Sequence, residues 1–317
     1  MQRRDLFPLA AGLLTGAVAP GLALAADKKT LALVTNGSSD FWTFARRGIE
    51  KAQAELPNYT MELHVLAQST AAEQKQVLDD LLTRGVAGVS VSAIDPTNET
   101  DILNKVASQA VLFTTDSDAA GSKRVLYIGT DNVAAGVQAG QLINKALPQG
   151  GKIMLFVGTM GAANARERVE GIKKTIGPQV SILDIRTDEV DFAKAKRNVE
   201  DTLTKYPSID GLVGLWSYNT PQIVEAVRAA GKQGQVQVIG FDEDPVTLRG
   251  VADGIVIGTV VQQPYEFGYQ SMKLLAKVIE GDKSAIPANH LDIIPTNVID
   301  KSNVADFQKK MKELLGK

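Results

Sequence analysis

Leu126-Tyr127-Ile128-Gly129-Thr130-Asp131-Asn132-Val133-Ala134-Ala135-Gly136 decides how the rest of this chain is read. A short β-rich run, Leu126 to Ile128, stops at Gly-Thr-Asp-Asn, and a helical run begins near Val133. A second Ile-Gly-Thr stands at Ile257-Gly258-Thr259, again after a β-branched run and again before polar turn chemistry. Around these two points the sequence repeats itself. Each is read as a crossing between two similar lobes, which leaves a cleft between them.

Upstream of the first crossing, apolar runs alternate with helical periodicity. Thr30 to Val34, Glu62 to Leu66, Gly88 to Ser92 and Ala110 to Thr114 read as strands. Phe41 to Leu56, Ala71 to Thr83 and Asp101 to Gln109 read as the helices between them, with Asp40 available as a cap for the first. Loops of a few residues in a β-α-β-α-β-α-β order imply a parallel sheet with helices on both faces. Ligands of such sheets bind beyond the carboxyl ends of the strands. Those ends carry Ser39, Asp40, Phe41 and Trp42, then Asp95, then Asp116, Ser117 and Asp118. They combine hydrogen-bonding groups with aromatic faces.

Downstream, the order recurs. Glu170-Gly171-Ile172 echoes Arg47-Gly48-Ile49, and Gly211-Leu212-Val213 echoes Gly88-Val89-Ser90. Val238-Ile239-Gly240-Phe241-Asp242 takes the place of Leu112-Phe113-Thr114-Thr115-Asp116. The strand ends of this half offer Asn164 to Arg168, Phe192, Trp216 to Asn219, Asp242, and Gln262-Gln263. A helix from Tyr265 to Ile279 returns to the first lobe, and Ile293-Ile294-Pro295-Thr296 reads as a third crossing. The expected fold is therefore α/β: two similar doubly wound parallel-sheet lobes joined by a three-stranded hinge, with a ligand in the interlobe cleft. Residues 28–130 with 263–294 form one lobe, and 131–262 with 295–317 the other. Val304 to Leu314 reads as a basic amphipathic tail helix with a solvated lysine face.

The bulk numbers agree with a globular chain. It has 317 residues, 44% apolar and 22% charged, enough for two ordinary domains. A net charge of −2 gives no reason to expect nucleic acid or an anionic membrane surface as partner. With no cysteine and two histidines, thiolate chemistry and Cys/His metal sites are excluded, and no cofactor is expected. Gly158-x-x-Gly161 lacks the third glycine of a dinucleotide fingerprint and the Gly-Lys-Ser/Thr of a P-loop. No Gly-x-Ser-x-Gly elbow is present, and no catalytic residue is assigned.

At the N-terminus, Arg3-Arg4 precede a weakly apolar run from Leu6 to Leu24, which ends in Ala23-Leu24-Ala25 before Asp27-Lys28-Lys29. This is the pattern of a secretory signal peptide over residues 1–25, with partial similarity to a twin-arginine signal. It implies export, and a mature chain starting near Ala26.

In order along the chain, eight segments resemble the type I periplasmic binding proteins, in particular the ribose-binding branch, the solute-capture subunits of sugar ABC importers. They are Ser38-Ser39-Asp40-Phe41-Trp42, Asp95-Pro96-Thr97, Thr115-Asp116, Gly129-Thr130-Asp131-Asn132, Ala165-Arg166-Glu167-Arg168 with Glu170-Gly171, Asp191-Phe192, Gly240-Phe241-Asp242 and Gln262-Gln263-Pro264. The resemblance implies a pyranose or similar polyol sandwiched by Phe41, Trp42 and Phe192. It implies that Asp95, Asp116, Arg168, Asp242 and Gln262 hold its hydroxyls. Two positions depart from the ribose-binding pattern. Ser117 follows Asp116 where those relatives place an arginine, and Trp216 stands where they place an asparagine. Asn164, Asp118 and Asn219 are the candidate replacement contacts, and another pentose, a hexose, a sugar alcohol or a furanosyl signal is as compatible as ribose.

The resemblance further implies a periplasmic monomer that delivers its ligand to an inner-membrane ABC permease, with a chemoreceptor as a second docking partner. Two other functions share parts of this pattern. A LacI-type regulator would carry a helix-turn-helix ahead of the core, where the signal peptide stands. A secreted carbohydrate-active enzyme would need a pair of acids in the cleft with separated pKa values.

Overall fold

A computed structural model describes residues 28–315; the signal peptide expected over residues 1–25 lies outside the described residues. The first half runs β1 (Lys29–Val34), α1 (Phe41–Glu55), β2 (Tyr59–His64), α2 (Ala71–Thr83), β3 (Gly88–Val91), α3 (Pro96–Gln109), β4 (Val111–Thr115) and β5 (Leu126–Gly129). The chain continues through α4 (Asn132–Ala146), β6 (Gly151–Val157), α5 (Ala163–Thr175), β7 (Val180–Thr187), α6 (Phe192–Lys205), β8 (Gly211–Gly214), α7 (Asn219–Ala229), β9 (Gln237–Phe241), α8 (Pro245–Asp253) and β10 (Val256–Val261). It closes with α9 (Pro264–Ile279), β11 (Leu291–Ile293), β12 (Asn297–Asp300) and α10 (Val304–Leu314).

Two six-stranded sheets form, ordered β11-β5-β4-β3-β1-β2 and β12-β10-β9-β8-β6-β7. The orders are the same strand for strand, so the internal repeat is a repeat of topology. Every pairing is parallel except β10 with β12. That exception follows from chain direction. β11 runs alongside β5 toward the cleft, and the strand that continues after crossing must run away from it. The chain passes between the sheets three times: from β5 to α4, from β10 to α9, and from β11 to β12.

The central strands read as continuous apolar runs because both faces are covered. β3, β4, β8 and β9 are almost wholly buried, while the edge strand β2 is only half-buried. In the first lobe α1 and α9 cover one face, around Phe41, Ile49, Phe113 and Phe267. The other face packs around Leu78, Leu103 and Leu112 with α2 and α3. In the second lobe α4 and α5 cover one face and α6, α7 and α8 the other.

The echo of Gly48 and Gly171 has a steric cause. A Cβ on Gly48 would lie 2.0 Å from the Tyr265 carbonyl oxygen, and one on Gly268 would lie 2.1 Å from that of Ala45. In the second lobe, a Cβ on Gly171 would lie 2.1 Å from the Val133 carbonyl oxygen, and one on Gly136 would lie 2.2 Å from that of Arg168. Each lobe thus has one reciprocal glycine pair that lets two helices touch backbone to backbone. These pairs dock the crossing helices α9 and α4.

Three expectations shift. The helix expected from Asp101 begins at Pro96, because Asp95 caps it and proline fits the first turn. The Asp40 side chain makes no capping hydrogen bond to α1; the residue has helical backbone angles itself. The two Ile-Gly-Thr copies are not in structural register. β4 pairs Thr114 with Tyr127, whereas β9 pairs Gly240 with Thr259. Ile128-Gly129-Thr130 therefore corresponds to Val260-Val261-Gln262, and the second crossing comes at Gln262–Pro264. The matching letters are displaced by three residues. The strand period is two, so an odd displacement puts the matching letters on opposite faces.

Candidate functional site

The doubly wound order reverses at β1/β3 and at β6/β8, which splays the loops that follow these strands and opens a crevice. Buried Gln74 holds the first-lobe edge of this crevice in shape. Its side-chain amide nitrogen, Nε2, donates to the Thr35 carbonyl (2.8 Å) and to that of Ser92 (2.9 Å), joining the ends of β1 and β3. The two lobes enclose a chamber of about 380 Å³, counting its opening. Asn36, Gly37, Ser38, Ser39, Phe41, Trp42 and Asp116 line it from the first lobe. Asn164, Arg168, Val190, Trp216, Ser217, Tyr218, Asp242 and Gln262 line it from the second.

Asp116 and Asp242 are the first residues beyond β4 and β9, and both have a left-handed backbone, with φ of 58° and 68°. The neighbouring strand pins each one. Tyr127 on β5 donates its hydroxyl to the Asp116 carbonyl (3.1 Å), and Thr259 on β10 does the same for Asp242 (2.8 Å). A strained turn held on both sides turns the carboxylates into the chamber. Oδ2 of Asp116 accepts from Ser92 (2.7 Å), Asn36 (3.2 Å) and, across the cleft, Asn164 (3.3 Å). The Asn164 bond and the approach of Val190 to Gly37 join the lobes directly.

Arg168 is the largest fully buried side chain among the described residues. Its Nε donates to Asn132 Oδ1 (2.9 Å) and its Nη1 to the Leu215 carbonyl (2.6 Å), while the guanidinium lies 4.5 Å from the Phe241 ring centre. Its Nη2 makes no hydrogen bond among the described residues, and neither does Oε1 of Gln262. Gln262 Nε2 donates to Asp242 Oδ1 (2.9 Å). Burial pushes the Asp116 carboxyl above its ordinary range and that of Asp242 up to about 6, against the pull of the Arg168 charge. A buried guanidinium near two buried acids and several amides offers donors and acceptors together.

The aromatic walls are rigid. Phe41 and Trp42 meet edge to face at 5.0 Å, and the Trp216 indole donates to Asn164 Oδ1 (3.2 Å). Gly158 is where that indole rests: any Cβ there would lie 2.1 Å from the ring. This explains the glycine of the Gly158-x-x-Gly161 sequence without a phosphate. Tyr218 donates to Asp188 Oδ1 (2.5 Å), and the same carboxylate takes bonds from Asn219 Nδ2 (2.9 Å) and Val190 N (2.9 Å). Burial raises Asp188 to about 6. This network holds Glu189 and Val190 at φ of 53° and 64°, and it is how a β-branched residue comes to face the chamber.

The expected contact residues divide into three groups. Phe41, Trp42, Asp116, Asn164, Arg168, Trp216, Asp242 and Gln262 line the chamber. Asp40 and Phe192 stand outside it, in a wider vestibule at the mouth of the cleft. Asp95, Ser117, Asn219 and Asp118 do not line the chamber. The Asp95 carboxylate turns back onto α3, accepting from Asn98 N (3.2 Å) and Asn98 Nδ2 (2.7 Å). Ser117 is buried behind the Asp116 turn. Asn219 is spent on Trp216 N (3.0 Å) and Asp188, and Asp118 on a two-pronged pair with Arg124 (2.6 and 2.7 Å). Strand-end position cannot tell a carboxylate that faces the cleft from one that caps its own helix. Asn36 and Val190 were not anticipated as contacts, and Tyr218 was offered only within the strand end Trp216 to Asn219. Asn36 lies two residues past β1, where the strand-end rule applies; Val190 carries no sequence signal.

Among the described residues no helix is long and apolar enough to cross a membrane. The family model described as "Periplasmic binding protein domain" matches residues 31–283. The ribose import binding protein RbsB of Salmonella typhimurium is 29% identical over 290 residues, covering 89% of this chain and 95% of that protein. The D-allose-binding periplasmic protein of Escherichia coli is 25% identical, covering 86% and 93%. Among solved structures, an ABC transporter solute-binding protein from Burkholderia graminis C4D1M in complex with D-arabinose superposes with a TM-score of 0.81. It is 26% identical, and the match covers 87% of this chain and 97% of that one.

Proposed function

The chain belongs to the periplasmic binding protein family, and from that premise we propose that it captures a monosaccharide or sugar-like polyol between its lobes for an ABC importer. One observation carries the reading. Arg168, Gln262, Asp116 and Asp242 converge from both lobes on one buried chamber, walled by Phe41, Trp42 and Trp216. A sugar ring suits such a chamber. Its C–H face packs on aromatic rings, and its hydroxyls satisfy polar groups that are costly to bury alone. Arg168 Nη2 and Gln262 Oε1, without a hydrogen bond among the described residues, have capacity for such bonds. The relatives named for ribose, allose and arabinose support the substrate class.

The mechanism is clamp closure. A ligand held by Asp116 on one lobe and by Arg168, Asp242 and Gln262 on the other binds the closed form more tightly and shifts the population toward it. The three crossings act as the hinge, with lobe boundaries at 130/131, 262/263 and 294/295. We read no catalytic step into the site. The protein is exported to the periplasm, acts as a monomer, and in its closed form docks on the importer's permease and on a chemoreceptor.

A thermal-shift screen of residues 26–317 against pentoses, hexoses and their alcohols tests the reading. A ligand at a hundredfold excess over its Kd stabilises the folded state by about 2.7 kcal/mol. A sharp rise in Tm with one sugar, recovered unchanged afterwards, is the expected result. Absence of any shift across the panel overturns it, and turnover of the sugar would mean an enzyme.

A further inference from the structure

Outside the chamber the cleft widens into a vestibule of about 890 Å³, counting its opening, more than twice the chamber on the same measure. The two spaces are continuous: Ser38, Ser39, Trp42, Ser217 and Tyr218 line both. Both lobes contribute to the vestibule, and its composition is unusual for a mere entrance. Among the described residues, three large apolar side chains stand exposed: Val65 (40%), Phe192 (42%) and Ile293 (44%). Two of the three, Val65 and Phe192, line the vestibule from opposite lobes.

Phe192 is not a loose side chain. Its ring stacks on Tyr218 with centres 4.7 Å apart and planes 20° apart. Tyr218 is itself fixed by Asp188, and the Asp191 carboxylate accepts from Lys194 N (2.9 Å) at the start of α6. An aromatic ring braced on one face by Tyr218 thus lines the vestibule. Arg46, Gln222 and Asp244 add polar groups to the vestibule lining. Water against a preorganised apolar face is unfavourable, and a flat apolar-faced group covering it is the complementary occupant. Neighbouring polar groups would serve the hydroxyls of that group.

We infer that the ligand is a glycoside, with one sugar ring in the chamber and a second apolar-faced group, a further sugar ring or an aryl aglycone, in the vestibule against Phe192. The inference rests on the sugar-binding reading above and narrows it. It gives a role to an aromatic residue that the resemblance implies beside a sugar ring and that lines the vestibule and not the chamber.

Calorimetric titration of residues 26–317 tests it. The probes are D-ribose, D-arabinose, D-galactose and D-glucose, each free and as both anomers of its methyl and phenyl glycosides. One phenyl glycoside should bind about tenfold more tightly than its free sugar, the size of one aromatic stack, with the methyl glycoside between them. Phe192→Ala should then weaken the phenyl glycoside about fivefold more than the free sugar. Val65→Ser on the opposite lobe, which leaves the Tyr218 stack intact, should act in the same direction. A free sugar that binds more tightly than all its glycosides overturns the inference and leaves the monosaccharide reading standing. Equal losses for glycoside and free sugar in both variants also overturn it. Failure of every free sugar and glycoside to bind removes the sugar reading, and this inference with it.

Discussion

Asp116 and Asp242 occupy the same place in two copies of one topology, yet the residues that follow them are treated differently. Both aspartates sit just past a central strand in a left-handed turn pinned by the next strand. After Asp116 the acid that follows is neutralised, because Asp118 pairs with Arg124. After Asp242 comes Glu243, buried, with neither carboxylate oxygen hydrogen-bonded among the described residues. Burial, with the Asp242 charge beside it, pushes the Glu243 carboxyl well above the usual carboxylate range. The first lobe holds its aspartate in a satisfied frame. The second concentrates uncompensated acid next to a hinge crossing. Repeated backbone geometry therefore does not imply repeated electrostatics.

Removing the cation that serves both aspartates breaks the comparison most severely. Arg168→Met should destabilise the protein by about 3–5 kcal/mol in chemical denaturation, because two buried acids lose their counter-charge. It should also weaken ligand binding at least about a hundredfold by titration calorimetry. Unchanged stability would mean that the aspartates do not depend on Arg168.

The helix contacts test the symmetry itself. Gly48→Ala and Gly171→Ala each drive a methyl group into a backbone carbonyl, at 2.0 and 2.1 Å. Each should cost about 1–3 kcal/mol, and the two costs should be similar. A large difference would show that one lobe can relax where the other cannot.

Glu243 and Asp118 should respond with opposite signs. Glu243→Met removes a buried unpaired acid and should stabilise the protein at pH 8 by about 1–2 kcal/mol. Asp118→Asn loses the pair with Arg124 and should destabilise it by about 1 kcal/mol. Matching signs in a pair of Tm measurements would erase the distinction drawn between the two strand ends.

The smallest effect is on pH dependence. Asp188 titrates near 6 in the folded protein, above the ordinary aspartate value of about 4. The folded state holds this proton more tightly than the unfolded chain. The resulting stability is complete below about pH 4 and disappears as pH rises through about 6. Asp242, also near 6, and Glu99, near 7, act in the same direction. Asp188→Asn should therefore flatten the fall in Tm of the ligand-free protein between about pH 4 and 7, by about 1 kcal/mol. An unaltered slope would remove Asp188 from this group.

Much of the fold was legible because its cause is local. Strands covered on both faces must be apolar throughout, so Gly88–Val91 and Gly211–Gly214 stand out as runs. The Arg47-Gly48-Ile49 echo was legible for the same reason, since only glycine fits the helix contact. The site was legible to the extent that a strand end points a residue toward the crevice. It was not legible where side chains choose between partners. Asp95 and Asn219 sit at strand ends like Asp116, but each finds its partners close by in sequence or within its own lobe. No local pattern encodes that choice. Even the repeated Ile-Gly-Thr deceived, its letters matching three residues out of structural register.

The sequence by itself determined the order of strands and helices, the duplication, and the positions of the acids and aromatic residues at strand ends. These follow from periodicity, capping and the geometry of parallel sheets. Tertiary structure alone decided which of those groups share one chamber, that Arg168 serves both aspartates, that Phe192 faces a vestibule, and that Glu243 is buried without a partner. Those facts depend on how the two sheets and their loops face each other. Burial and hydrogen-bond partners across that gap come from residues far apart in the chain.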